Sequence, residues 1–190
     1  QDPFVSEMIA ALENAIRANG YYTMLHAAQT AAEIHRISQT WNAVGLIVMG
    51  LQANQCRELM QVTRKPIVFV DCYFDQGERY NNVGLDDEGG MRQMTEHLLK
   101  LGHRNMLFVG DQPVLWGVDA RRLRGHQQAL EAAGLAWQET HYFCVSKDRK
   151  RRGEDYQRML EYVRMLGCTV CLFISDYYAV EAIDFLLDQG

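Results

Sequence analysis

The sequence predicts a mostly parallel, doubly wound α/β protein, and three observations carry that prediction. Short apolar runs alternate with amphipathic segments along the whole 190-residue chain. Two of those runs, residues 44–50 and 66–71, are apolar without alternation, as strands covered on both faces are. Glycines stand where helical patterns stop, Gly20 and Gly102 being the clearest.

The elements follow in order. Val5, Met8, Ile9, Leu12, Ala15 and Ile16 recur at helical spacing behind Pro3, which suits a first turn. YYTML (21–25) reads as a short strand, 31–40 as a polar helix and VGLIVMG (44–50) as a buried strand. A helix over 54–63 leads to strand PIVFVD (66–71). The loop 72–87 breaks the rhythm and marks a boundary between two lobes, 1–85 and 86–190. Helix 88–101 sets Met91, Met94, Leu98 and Leu101 on one face and stops at Gly102. Strand 106–110, helix 119–133, strand 141–145, helix 154–166, strand 169–175 and helix 178–188 complete the pattern.

Composition excludes several classes. With 48% apolar and 23% charged residues the chain is globular in character, and no apolar run approaches the ~20 residues that span a bilayer. A net charge of −5 argues against this segment gripping a phosphate backbone by itself. Five scattered cysteines fit a reducing cytoplasm better than a disulfide framework. Walker and dinucleotide glycine spacings, nucleophile motifs and metal-ligand clusters are not evident, so neither an enzyme nor a cofactor or metal is expected.

In doubly wound sheets ligands bind at the carboxyl ends of the strands. Those ends read Gly50-Leu51-Gln52, Asp71-Cys72-Tyr73, Gly110-Asp111-Gln112 and Ser175-Asp176-Tyr177. Aspartates accept hydrogen bonds from hydroxyls and rings cover apolar faces, which suits a hydroxyl-rich or heterocyclic small molecule.

VGLDDEGGMRQMTEHLLKLGHRNMLFVG, RRLRGHQQALEAAGL and CLFISDYYAVEAIDFLLDQG together resemble the effector-binding domain of LacI/GalR-family transcription regulators. QDPFVSEMIAALENAIRANGYYTML is similar to the segment that opens the family's amino-terminal lobe. The resemblance implies a two-lobed, periplasmic-binding-protein-like fold of three-layer αβα lobes, seen here as an incomplete segment. It also implies a repressor-type regulator whose sugar-like or nucleobase-like effector sits between the lobes. Operator DNA would be read by a helix-turn-helix domain upstream of Gln1, and the protein would be a cytoplasmic homodimer using the Val5, Met8, Leu12 and Ala15 face. A periplasmic sugar-binding transport protein is the alternative. Three departures stand out: Asp2 and Asp87 where Asn is usual, and Val44 where Asp is common.

Carried over residue by residue, the resemblance assigns ligand contact to Arg122 and Asp176 and a pocket wall to Phe4. Asp71, Tyr73, Asp111 and Trp116 match rim positions. Plainer readings stand beside these. Asp176 also suits a helix N-cap, Arg122 a solvated helix face, and Tyr73 and Trp116 loop packing. His103-Arg104 reads as a helix C-terminus favouring cations, Cys168 and Cys171 as core, and KDRKRR (147–152) as a solvated loop. Finally, strand order 2-1-3-4-5 with its first strand upstream predicts that 21–25 and 44–49 do not pair with each other, but leave a slot about 10 Å wide.

Overall fold

The computed structural model describes residues 3–74, 79–111 and 117–188, and all structural statements concern these. Helices α1 (Pro3–Ala18) and α2 (Ala31–Thr40) precede β1 (Leu46–Met49), α3 (Ala53–Val62), β2 (Ile67–Val70) and the two-residue β3 (Asn82–Val83). Next come α4 (Asp87–Lys100), β4 (Met106–Gly110), α5 (Gly117–Ala132) and β5 (Tyr142–Cys144), then α6 (Arg152–Leu166), β6 (Val170–Phe173) and α7 (Asp176–Asp188). The strands form two parallel sheets, β1-β2-β3 and β5-β4-β6.

The second sheet is the doubly wound one. Every residue of β4 is buried, and the pleat sends alternate residues to opposite faces. Leu107 and Val109 pack with Tyr156, Met159 and Ala182 of α6 and α7. Met106 and Phe108 pack with Leu172 and Ile174, and with Leu98 and Leu123 of α4 and α5. Each such side chain contributes roughly 1.5–3 kcal/mol by leaving water. In the first sheet Val48 and Phe69 bury against Cys56 and Leu59 of α3 and Ala31 of α2.

Segment 21–25 is not a strand. It carries no regular structure and is exposed, because a strand exists only through a hydrogen-bonded neighbour and none of the described strands lies beside it. It does not pair with β1, as the expected strand order requires. The sequence also missed β3, whose two residues give no periodicity.

The helix-to-strand return at 97–110 is structural. Gly102 adopts φ 96°, a left-handed conformation that glycine takes without strain. Its N–H donates to Leu99 O at 3.1 Å, that of His103 to Leu98 O at 3.1 Å, and Arg104 Nη1 donates to Leu99 O at 2.7 Å. These satisfy the last carbonyls of α4.

The α4–α5 contact sets where α5 presents its arginines. A Cβ on Gly125 would stand 2.1 Å from the Glu88 carbonyl oxygen, so only glycine allows this approach. Beside it, buried Thr95, two turns beyond Glu88 on α4, and His126, the residue after Gly125, meet at 2.9 Å. The glycine of the Arg-Leu-x-Gly stretch is therefore a packing residue.

Candidate functional site

In an open parallel sheet, connections diverge where the strand order reverses, and a crevice forms there. In the order β5-β4-β6 that point lies between β4 and β6, beyond Gly110 and Phe173. Asp111, Asp176, Tyr178 and the first turns of α4 and α5 surround it.

Asp87 organises this region. It opens α4 behind the N-cap Asp86, whose side chain accepts from Gly89 N–H at 3.0 Å. The Asp87 side chain is 2% exposed. Its Oδ1 accepts from Arg122 Nε at 2.9 Å and forms an ion pair with Nη2 at 2.8 Å, and its Oδ2 lies 3.0 Å from the Tyr73 hydroxyl. Arg122 Nη1 donates to the Ile174 carbonyl at 2.7 Å. One guanidinium thus joins α5, the start of α4 and the exit of β6.

Tyr73 reaches this knot from the exit of β2. Its hydroxyl also lies 3.1 Å from Leu85 O and 3.4 Å from Asp71 Oδ1. It has one proton to give, and the Asp87 carboxylate is the nearest acceptor. Burial, then the hydrogen bond to Asp87, push the phenol above its ordinary pKa and keep it a neutral donor. The Arg121 guanidinium sits 4.6 Å from the Tyr73 ring centroid, a cation–π contact, with its Nε–H buried and unpaired. Asp71 turns the chain with φ 53°, a left-handed conformation that Asp tolerates better than most residues. A polar recess of about 290 Å³, lined by Asp86, Glu88, Gly89, Arg92, Arg121 and Gln128, opens alongside.

On the other side of the crevice, Asp111 Oδ2 accepts from the Tyr178 hydroxyl at 3.1 Å and faces Lys147 Nζ at 3.6 Å. Its backbone oxygen accepts from the Tyr142 hydroxyl at 2.7 Å. Burial, then the neighbouring Asp111 carboxylate, push the Asp119 carboxyl above its usual range. Asp176 is exposed at the start of α7, and its Oδ1 accepts the Tyr177 N–H at 2.8 Å.

Of the seven residues singled out in the sequence, Tyr73 and Arg122 are linked through Asp87 and Asp71 lies 3.4 Å from the Tyr73 hydroxyl, while Asp111 and Asp176 sit at adjacent strand exits. Phe4 lies in the first turn of α1, 53% exposed. Trp116 lies outside the described residues. Sequence reasoning missed Asp87, Asp119, Arg121 and Tyr178. Asp87 had a signal, the unusual Asp in place of Asn. Arg152 corrects the solvated reading of 147–152. Arg149 to Arg151 form a short, exposed 3-10 turn, but Arg152 is buried between the rings of Tyr177 and Tyr178, 5.1 and 4.9 Å from their centroids. Its Nη1 donates to Glu181 Oε2 at 2.5 Å. Burial alone would raise the Glu181 carboxyl, but the hydrogen bond and charge of Arg152, with the hydrogen bonds of Tyr177 and Tyr156, together outweigh it and hold the group below its usual range. Cys168 and Cys171 both pack into the core under α6, as the plainer reading held.

Comparison with known proteins places this geometry. The family described as "Periplasmic binding proteins and sugar binding domain of LacI family" matches residues 1–190. The chain belongs to that family. Within it, the chain is a LacI/GalR-type effector-binding domain. It is 26% identical over 145 residues to the HTH-type transcriptional regulator CelR of Thermobifida fusca, covering 73% of this chain and 42% of that protein. It is 23% identical over 177 residues to the maltose regulon regulatory protein MalI of Escherichia coli K12, covering 89% of this chain and 51% of that protein. The chain thus spans about half the length of these relatives. A solved CelR–cellobiose complex superposes with TM-score 0.79 at 21% identity, covering all of this chain and 58% of that one. These relatives are transcription regulators, not enzymes. Among the described residues there is no helix long and apolar enough to cross a membrane and no cluster fit to hold a metal ion.

Proposed function

We propose that this chain is the effector-sensing part of a DNA-binding transcription regulator acting as a repressor. A sugar or related polyhydroxylated metabolite binds in the cleft between an amino-terminal lobe, 1–85, and a carboxy-terminal lobe, 86–190. The observation that carries this reading is the Arg122 guanidinium, anchored by Asp87 and the Ile174 carbonyl at the β4/β6 switch point. A planar fork held in place presents its free N–H groups with little entropy left to lose, which suits a ligand with paired hydroxyl oxygens.

Asp111 and Asp176 accept hydroxyl protons from the strand exits, while Tyr73 and Asp71 close the cleft from the other lobe. Phe4 supplies an apolar wall. Because Tyr73 and Arg122 share Asp87, ligand-induced movement of Arg122 is felt directly by the first lobe. Such movement couples sugar binding to operator affinity through a DNA-binding domain outside this chain. The protein works in the cytoplasm as a two-fold homodimer, a symmetry that matches palindromic operators. The relatives reported above are regulators, which favours this reading over transport.

The test is a thermal-shift screen of sugars on the full-length protein, since a ligand that binds only the folded state raises its melting temperature. The proposal expects at least one neutral sugar to raise it in the wild type and to lose that effect in Arg122→Ala. Equal shifts in both proteins would overturn the assignment of Arg122, and no shift with any sugar would overturn the sensing reading.

A further inference from the structure

The charge of Arg122 is already matched. Nε donates to Asp87 Oδ1, and Nη2 lies 2.8 Å from the same oxygen as an ion pair; the carboxylate is 2% exposed and the arginine 26%, so salt and solvent screen the pair less than one on the open surface. Nη1 gives one N–H to Ile174 O. A guanidinium carries five N–H groups; Nε and Nη1 each donate one within the fold and Nη2 pairs with Asp87, which leaves an N–H on each terminal nitrogen. The groups around the crevice are mostly carboxylates: Asp111 beside Tyr178, Asp119 at the start of α5, Asp71 at the exit of β2 and Asp176 at the exit of β6. The other cations are engaged or remote. Arg121 lies over the Tyr73 ring, and Lys147, 77% exposed, pairs with Asp111.

We propose that Asp87 determines the charge class of the effector: by neutralising Arg122 it makes the cleft select an uncharged polyhydroxylated ligand and reject sugar phosphates and sugar acids. This rests on the sugar-sensing reading above. A neutral sugar matches every group on offer. Its hydroxyl oxygens accept the two free N–H groups of Arg122, and its hydroxyl protons go to the carboxylates. A phosphate or carboxylate brings only acceptors and a further negative charge. It meets an arginine whose charge is spent on Asp87 and a rim of carboxylates with no donor to give. Binding it requires either breaking the buried Arg122–Asp87 pair or stacking negative charge beside Asp111 and Asp119.

The experiment is a binding titration of the full-length protein with matched probes: glucose and cellobiose against glucose 6-phosphate and gluconate, in wild type, Asp87→Asn and Asp119→Asn. The inference expects a neutral probe to bind wild type at least about tenfold more tightly than its anionic counterpart, because like-charge juxtaposition is penalised. Asp87→Asn keeps the side chain's shape and releases the arginine's charge, so it should shrink that ratio at least about fivefold. Asp119→Asn, which removes a rim charge without touching Arg122, should change it less. An anionic probe that binds wild type as well as its neutral partner overturns the inference and leaves sugar sensing standing. Equal effects of the two substitutions overturn the role of Asp87. Failure of all four probes to bind counts against the sugar-sensing reading and takes the inference with it. Far-ultraviolet circular dichroism checks that each variant is folded; if Asp87→Asn is not, the wild-type ratio alone decides.

Discussion

Lowering the pH should loosen the α4–α5 contact on which Arg122 depends, through His126. This imidazole is fully buried, with Nδ1 2.9 Å from Thr95 Oγ1. Thr95 gives its own proton to the Met91 carbonyl at 2.9 Å, so the Nδ1–H must be the donor to Thr95 and Nε2 is left bare and unpaired. Burial, with a smaller contribution from His141, pushes the pKa from 6.5 down to about 4. The sign follows from which state binds the proton. Between these values the unfolded chain is protonated and the folded one is not, so stability falls as the pH drops from 6.5 toward 4. Linkage puts the loss between about pH 7 and about pH 5 at about 2 kcal/mol. His126→Leu has similar volume and no titrating group, so it should lack this component. Urea unfolding of both full-length proteins at the two pH values measures the difference. Wild type should lose about 2 kcal/mol more than the variant over that interval. Equal losses would refute the claim that His126 is held neutral in the fold.

Other outcomes follow from particular contacts. Gly125→Ala drives a methyl group to 2.1 Å from the Glu88 carbonyl, so α4 and α5 must separate, at a cost of about 2 kcal/mol in the unfolding free energy measured with urea. Arg152→Ala removes the donor shared by Glu181 and the carbonyls of Ser146 and Lys147, leaving Glu181 to Tyr156, Tyr177 and the exposed Arg149, and costs about 3 kcal/mol by the same measurement. A thiol reagent followed by mass spectrometry should modify exposed Cys144 in the native protein. It should spare Cys56, whose thiol is pushed up to about 12 by burial and then by Cys72, and also buried Cys72, until urea is added.

The helices were legible because their apolar spacing and end signals agree; α2 fits the reading to the residue and the others within two. The continuous apolar runs gave β1, β2 and β4 for the same reason. Tyr21–Leu25 looked like a strand because β-propensity is local, whereas a ladder needs a partner. At the site, the strand-exit aspartates could be read from position alone. Asp87 could not, because an acidic residue in a first helical turn is ordinary dipole chemistry, and only the fold shows Arg122 arriving from 35 residues away. Arg152 was hidden in the same way: a run of like charges reads as solvated, and its burial depends on two tyrosines and a glutamate from α7.

If the Arg122 site couples a small molecule to DNA as proposed, fluorescence anisotropy of the full-length protein on a DNA fragment it has selected from a random pool reads that coupling directly. DNA affinity should change with saturating neutral sugar by a factor in the range of about 5–150 in wild type, and Arg122→Ala should bind the same DNA with no response to the sugar. A wild-type affinity indifferent to every sugar tested, or an equal response in Arg122→Ala, would contradict the account.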